Sequence, residues 1–231
     1  MMLDRIIPLL ATFLAVMVII SFHEFAHAFA AYKCGDPTAK FSGRMTLNPV
    51  KHFDPLGIVM FVLAGFGWAK PVPINPYNFK NYRKGCFWTA SAGVLMNYVM
   101  AFIAYPLYFL IMMYVYPIVY GTYMAIFLQA LFASLYLYSL GFCVFNLVPL
   151  YPLDGFRIID SLNKTRGKIY YLLRDKGQYI LFGLIAVHYF SSMMPYLGYI
   201  DILGYFLNFA ENILGKPITL FWNWVLEAIL R

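Results

Sequence analysis

Long apolar runs alternate along the chain with short polar stretches. A helix of about 20 apolar residues crosses the roughly 30 Å hydrocarbon core of a bilayer. Runs near or above that length cover residues 7–32, 85–116, 122–147 and 177–198. The tail adds apolar segments at 199–215 and 217–230, which form either one span or two pieces. The pattern predicts an all-α polytopic membrane protein, a helical bundle of about four to six transmembrane segments.

Residues 56–74 are also apolar, but they are too short and too often interrupted by glycine and proline to form a span. Irregular backbone at membrane depth is tolerated only where protein covers it or where it lines a cavity. We therefore predict a re-entrant β-hairpin or loop that lines the active site. Within it, residues 61–68 are the candidate edge strand against which an extended substrate would pair.

The first apolar run contains three polar residues, His23, Glu24 and His27. Ionisable groups at bilayer depth are costly, and they mark functional sites. Residues four apart lie on one face of a helix, so His23 and His27 can bind the same metal ion. Glu24 stands beside that ion, as the general base does in the H-E-x-x-H pattern of zinc hydrolases. The stretch therefore predicts a catalytic metal site.

A catalytic zinc ion usually has three protein ligands and a water molecule. Asp154 is the predicted third ligand, because it follows two prolines that end the run at 122–147 and a buried aspartate needs a partner. The alternative for Asp154 is a simple helix-terminating turn in the headgroup zone. His52 is another candidate ligand, but the sequence favours an interfacial histidine beside Asp54 and Pro55.

Other polar residues in the apolar runs have less specific interpretations. Asn97 either contacts the substrate or bonds to a neighbouring helix. His188 is predicted to be a packing or interface residue. Cys34, Cys86 and Cys143 are odd in number and widely spaced, so they predict neither a disulfide framework nor metal ligands.

Composition and charge agree with a membrane protein. Hydrophobic residues make up 62% of the 231 residues and charged residues only 12%. The net charge is +7, but the basic residues lie between the apolar segments, so they indicate orientation in the bilayer rather than nucleic-acid binding. If the segment 56–66 enters the bilayer and returns to the same side, the loops 33–55, 67–84 and 156–176 all lie on one side of the membrane. That side is then cytoplasmic, the N-terminus lies outside, and the first run is a retained helix rather than a signal peptide.

Four motifs in order make the chain similar to the site-2 proteases, in particular to the short bacterial and archaeal members. Residues 23–27 match H-E-x-x-H, and residues 146–155 match N-x-x-P-x-x-P-x-D-G. The stretches 44–57 and 67–73 resemble segments of the same subgroup. The resemblance implies one zinc ion held by His23, His27 and Asp154, with Glu24 as the base. Asn97 and Asn146 are then candidates for binding the substrate or stabilising its oxyanion.

These observations predict an intramembrane zinc metalloprotease that cleaves in or near transmembrane segments of membrane proteins, as in regulated intramembrane proteolysis. We expect one protease domain over 1–231, with a catalytic core at about 7–160 and C-terminal transmembrane segments at about 177–230. The expected location is the cytoplasmic membrane, with the active site open toward the cytoplasm. The alternatives are a membrane metal transporter or channel and an inactive relative that keeps zinc.

Overall fold

The structure, a computed structural model, describes residues 2–64, 67–163 and 165–230. The helices, numbered in chain order, are α1 (Leu3–Cys34), α2 (Thr38–Phe41), α3 (Pro55–Ala64), α4 (Tyr82–Leu110), α5 (Tyr116–Val119), α6 (Tyr123–Asn146), α7 (Asp154–Leu162), α8 (Lys168–Asp175), α9 (Gly177–Met193) and α10 (Ile202–Leu230). A π-helical turn, Ile111–Val115, joins α4 to α5. Short 3₁₀ turns cover Pro49–Lys51, Pro76–Asn78 and Pro195–Ile200.

Three helical segments are long and apolar enough to cross a membrane: Leu3–Cys34, Tyr82–Val119 and Tyr123–Asn146. They correspond to the first three predicted spans, and the all-α membrane fold is confirmed. Two further helices, α9 with 17 residues and α10 with 29 residues, follow in the C-terminal part. Whether these two also cross the bilayer stays a prediction.

The three spanning helices pack against one another and form the centre of the protein. Thr12 on α1 and Ser134 on α6 share a hydrogen bond of 2.9 Å between their hydroxyl oxygens. Both helices run from that point toward the end that holds the histidines, so α1 and α6 are parallel neighbours. Helix α10 joins them through a buried cluster of Ala101, Leu140 and Ile218.

The segment after Asp54 leaves the body of the protein and returns to it, but its first arm is a helix. Asp54 accepts hydrogen bonds from the backbone N–H groups of Leu56 and Gly57, and Pro55 occupies the first helical position. This is a favourable start for a helix. The prediction of a β-hairpin with an edge strand is therefore wrong for residues 61–64, and residues 65 and 66 lie outside the described part.

The predicted return of this segment is seen at its base. The backbone N–H of Lys70 donates to the carbonyl of His52 at 2.9 Å, beside a single antiparallel bridge between Phe53 and Ala69. Gly57 makes the close approach possible, because a Cβ there would lie 2.1 Å from the carbonyl oxygen of Trp68. We call residues 67–75 the return arm.

The loops that follow α1 and α3 lie at the same end of the bundle. Asp36 is fully buried there and accepts hydrogen bonds from Thr38, from the backbone N–H of Asn75 and from the amide of Asn78. Burial alone would raise the pKa of Asp36, but these donors outweigh it and hold the pKa below its ordinary value. The shared aspartate fixes the first loop to the return arm.

Candidate metal centre

Three side chains from two helices converge at one point inside the bundle. His23 and His27 lie one turn apart on α1, and Asp154 is the first residue of α7. The Nε2 atoms of the two histidines are 2.9 Å apart. Asp154 Oδ2 lies 3.3 Å from His23 Nε2 and 3.0 Å from His27 Nε2. Among the described residues, these three form the group whose ligand atoms could hold a metal ion.

The hydrogen bond of the second ring nitrogen sets the role of His27. Its Nδ1 donates to the backbone carbonyl of Thr89 at 2.7 Å, so Nε2 of the neutral ring is a bare acceptor. That acceptor faces the carboxylate of Asp154, which is also an acceptor and is buried. Acceptors that converge in a buried place are stabilised by a cation between them. Two imidazoles and one carboxylate are a ligand set that zinc takes in hydrolases, so these residues fit the metal.

Asp154 reaches the histidines because the chain turns sharply after α6. The backbone N–H of Leu153 donates to the carbonyl of Leu150 at 2.9 Å, which closes the turn directly before α7. A Cβ at Gly155 would lie 2.4 Å from the carbonyl oxygen of Leu147. Only glycine therefore allows α7 to begin so close to the end of α6, and this start places Asp154 at the site.

Glu24 is buried next to these three side chains but is not part of their group. Its Oε2 accepts a hydrogen bond of 2.8 Å from the backbone N–H of Val72, in the return arm. Val72 packs in turn against Ala28 on the following turn of α1. The return arm thus borders the site, and its backbone fixes one oxygen of the glutamate while the other remains available.

Gly93 gives the two imidazoles the space that they occupy. It lies on α4, and a Cβ at this position would meet His27 Nε2 at 2.4 Å and His23 Cε1 at 2.6 Å. Helix α4 therefore approaches the histidines as closely as a backbone can. The sequence alone gives no role to Gly93, Thr89 or Val72, because a glycine in an apolar run and two backbone groups leave no distinctive pattern.

The remaining candidates lie at different distances from this centre. Asn97 follows Gly93 by one helical turn, is fully buried, and neither of its amide atoms has a hydrogen-bond partner among the described residues. Asn146 donates to the carbonyl of Phe142 in its own helix at 3.0 Å. His52 Nε2 is bonded to the carbonyl of Thr46 at 2.7 Å, outside the ligand group. His188 pairs with Asp201 at 2.8 Å.

Comparison with known proteins gives a consistent picture. The sequence pattern described as Peptidase family M50 matches residues 11–188. A relative from Bacillus subtilis named putative zinc metalloprotease YwhC is 43% identical over 155 residues, which cover 66% of this chain and 70% of that protein. Putative zinc metalloprotease Rip2 from Mycolicibacterium smegmatis is 39% identical over 51 residues, 20% of each chain. No solved structure matches the chain.

Proposed function

Because this chain belongs to Peptidase family M50, we propose that its peptidase chemistry is carried out by Glu24 as the general base beside a zinc ion held by His23, His27 and Asp154. The protein is an intramembrane zinc metalloprotease, and its substrates are membrane proteins in a bilayer. The convergence of three metal-binding side chains beside a buried, unligated glutamate is the observation that carries this assignment of roles.

A zinc ion bound here would lower the pKa of its bound water to near 7 and would polarise the carbonyl group of the substrate. The protein residues supply the rest of the chemistry. Glu24 takes the proton of the attacking water and delivers it to the leaving amine. The N–H of Val72 holds the carboxylate of Glu24 in one orientation. The unpaired amide of Asn97 is buried on the same side of α4 as Gly93, which supports a role in hydrogen bonding to the substrate. A substrate-binding role for Asn146 has less support, because its side-chain amide already donates a hydrogen bond within its own helix.

The alternatives are less well supported. A metal transporter agrees neither with the family nor with the names of the relatives. An inactive relative needs no base, whereas Glu24 is buried and held in place. We also propose that one protease domain covers 1–231, because α10 packs on α4 and α6 within the same bundle.

The proposed orientation in the membrane follows from charge. Most of the 17 basic residues lie in the loops at 33–55, 67–84 and 156–176. Hydrogen bonds join the first two of these loops at one end of the bundle. We place that end in the cytoplasm. Cysteines introduced at 75–84 in a background without native cysteines should be labelled only from the cytoplasmic side. Labelling from outside would contradict this orientation.

The decisive test replaces Glu24 by glutamine in the full chain. We expect Glu24→Gln to lose hydrolysis of a membrane substrate while its zinc content stays equal to that of the wild type. Zinc is measured by mass spectrometry of the purified protein, and a chelator serves as the control for metal dependence. If zinc is lost together with activity, Glu24 is a ligand and the assignment is wrong.

A further inference from the structure

A cavity of about 640 Å³ lies between the catalytic helices and the C-terminal helices. Helices α1 and α6 form one wall, α9 and α10 form the opposite wall, and α3 with the return arm closes one side. Most of its lining is apolar. The metal centre uses none of the side chains that line it.

The α1 wall of this cavity leads to the proposed base. Phe13, Val16 and Ile20 line the cavity at spacings of three and four residues, which places them on one face of the helix. The next positions of that stripe are His23 and Glu24, three and four residues beyond Ile20. A chain segment lying along this wall therefore reaches Glu24 about one helical turn beyond Ile20, a rise of about 6 Å.

A second glutamate enters the cavity from the opposite wall. Glu211 on α10 lines the cavity, and a Cβ at Gly141 on α6 would lie 3.4 Å from its Oε1. The hydrogen bond between Thr12 and Ser134 sets the register of α1 and α6, so Gly141, seven residues beyond Ser134, lies level with Ile19. The carboxylate of Glu211 thus stands about one and a half helical turns, or about 7.5 Å, from the level of Glu24.

The carboxylate of Glu211 has no counter-charge on these walls. No described residue donates a hydrogen bond to it or forms an ion pair with it. His188 also lines the cavity, but its ring is bonded to Asp201. The described lining includes neither lysine nor arginine. Ionisable groups in helices packed at membrane depth face cavities and mark the pathways of substrates.

We propose that the cavity is the docking site of the substrate segment and that Glu211 selects a basic side chain within it. The proposal rests on the proposed function, since it takes Glu24 as the place of hydrolysis. The occupant is an apolar membrane segment that carries a lysine or arginine within about 7.5 Å of the scissile bond, measured along α1. Its ammonium or guanidinium group supplies the donors that the carboxylate of Glu211 lacks.

The test measures binding separately from hydrolysis. The protein is the full chain with Glu24→Gln, held in nanodiscs of phosphatidylcholine, which carries no net charge. The probes are three fluorescent peptides of about 24 apolar residues, long enough to span the bilayer. They differ at a single position, which is lysine, methionine or glutamate, three residues from a central Gly-Gly pair. We expect the lysine peptide to bind about tenfold or more tightly than the methionine peptide.

Substitutions at Glu211 should change this preference in a defined direction. In the same background, Glu211→Gln should bind the lysine and methionine peptides equally, and Glu211→Lys should prefer the glutamate peptide. Glu227→Gln, at an exposed position of the same helix, is the matched control and should keep the lysine preference. The proposal is overturned if the three peptides bind alike, if none binds, or if the preference survives in Glu211→Gln.

Cleavage of the same peptides by the protein with Glu24 intact separates this proposal from the proposed function. If the peptides are cleaved but the lysine peptide is neither bound more tightly nor cleaved faster than the others, the role of Glu211 is contradicted and the protease assignment stands. Lysine-selective binding without any chelator-sensitive cleavage contradicts the protease assignment for these peptides and leaves the docking site in place.

Discussion

The close approach of α4 to the two histidines makes Gly93→Ala a sensitive test of the site. The added Cβ would stand 2.4 Å from His27 Nε2 and 2.6 Å from His23 Cε1. Van der Waals contacts between such atoms are about 3.5–4.0 Å long, so the added methyl group would overlap the two imidazole rings by about 1 Å or more. Overpacking of this kind costs about 1–3 kcal/mol, and the rings can relieve it by moving away from Asp154. We expect zinc affinity to fall about 10- to 100-fold.

The measurement is a competition for zinc against a chelator of known affinity, together with the rate of substrate cleavage at saturating zinc. Gly183→Ala is the matched control, because a Cβ on that glycine of α9 meets nothing within 4 Å. The control should be neutral or more stable by about 0.5–1 kcal/mol. If Gly93→Ala binds zinc as tightly as the control does, α4 does not pack on the imidazoles as described.

Three further predictions concern the residues around the site. Asp154→Ala should lower both zinc content and activity, because two histidines leave the ligand set incomplete; full zinc content would mean that another residue completes it. Val72→Pro removes the N–H that holds Glu24 and should slow cleavage about tenfold or more with zinc retained. Val72→Ala, which keeps the N–H, is its control, and equal rates in the two variants would contradict the role of that bond. The pKa of Asp36 lies below its ordinary value of 3.8, so its ionised form stabilises the fold above that pH. The difference in melting temperature between wild type and Asp36→Asn should therefore shrink as the pH falls below about 4, and a constant difference would refute this.

The three candidate metal ligands could be picked out from the sequence because each leaves a pattern in it. The four-residue spacing of His23 and His27 is a property of the helix itself, and polar residues inside an apolar run are costly enough to be noticed. Asp154 could be identified from the two prolines that precede it. The contacts that hold these side chains come from other helices. Neither the carbonyl of Thr89 nor the missing side chain of Gly93 could be assigned before α4 was placed.

The error in the segment 56–74 has a similar origin. Glycines and prolines indicated an irregular path, and the path does return on itself at His52 and Lys70. The start signal at Asp54 and Pro55 favours a helix over the following apolar residues. The repeated glycines and prolines are more conspicuous in the sequence than this single helix cap. Glu211 was likewise unassigned, because its neighbourhood depends on how α10 packs.

The ligand set also has a consequence for the order of events during synthesis. The two histidines lie on the first helix, whereas Asp154 comes roughly 130 residues later, which at about 5–20 residues per second is an interval of about 6–26 s. Throughout that interval the histidines are in the membrane without their third partner. With Asp154 as the proposed third ligand, we expect metal capture to be a late step and the nascent chain to be inert as a peptidase until α7 has emerged and docked. Such an order of events would prevent the protease from cutting other newly made membrane helices before its own fold is finished.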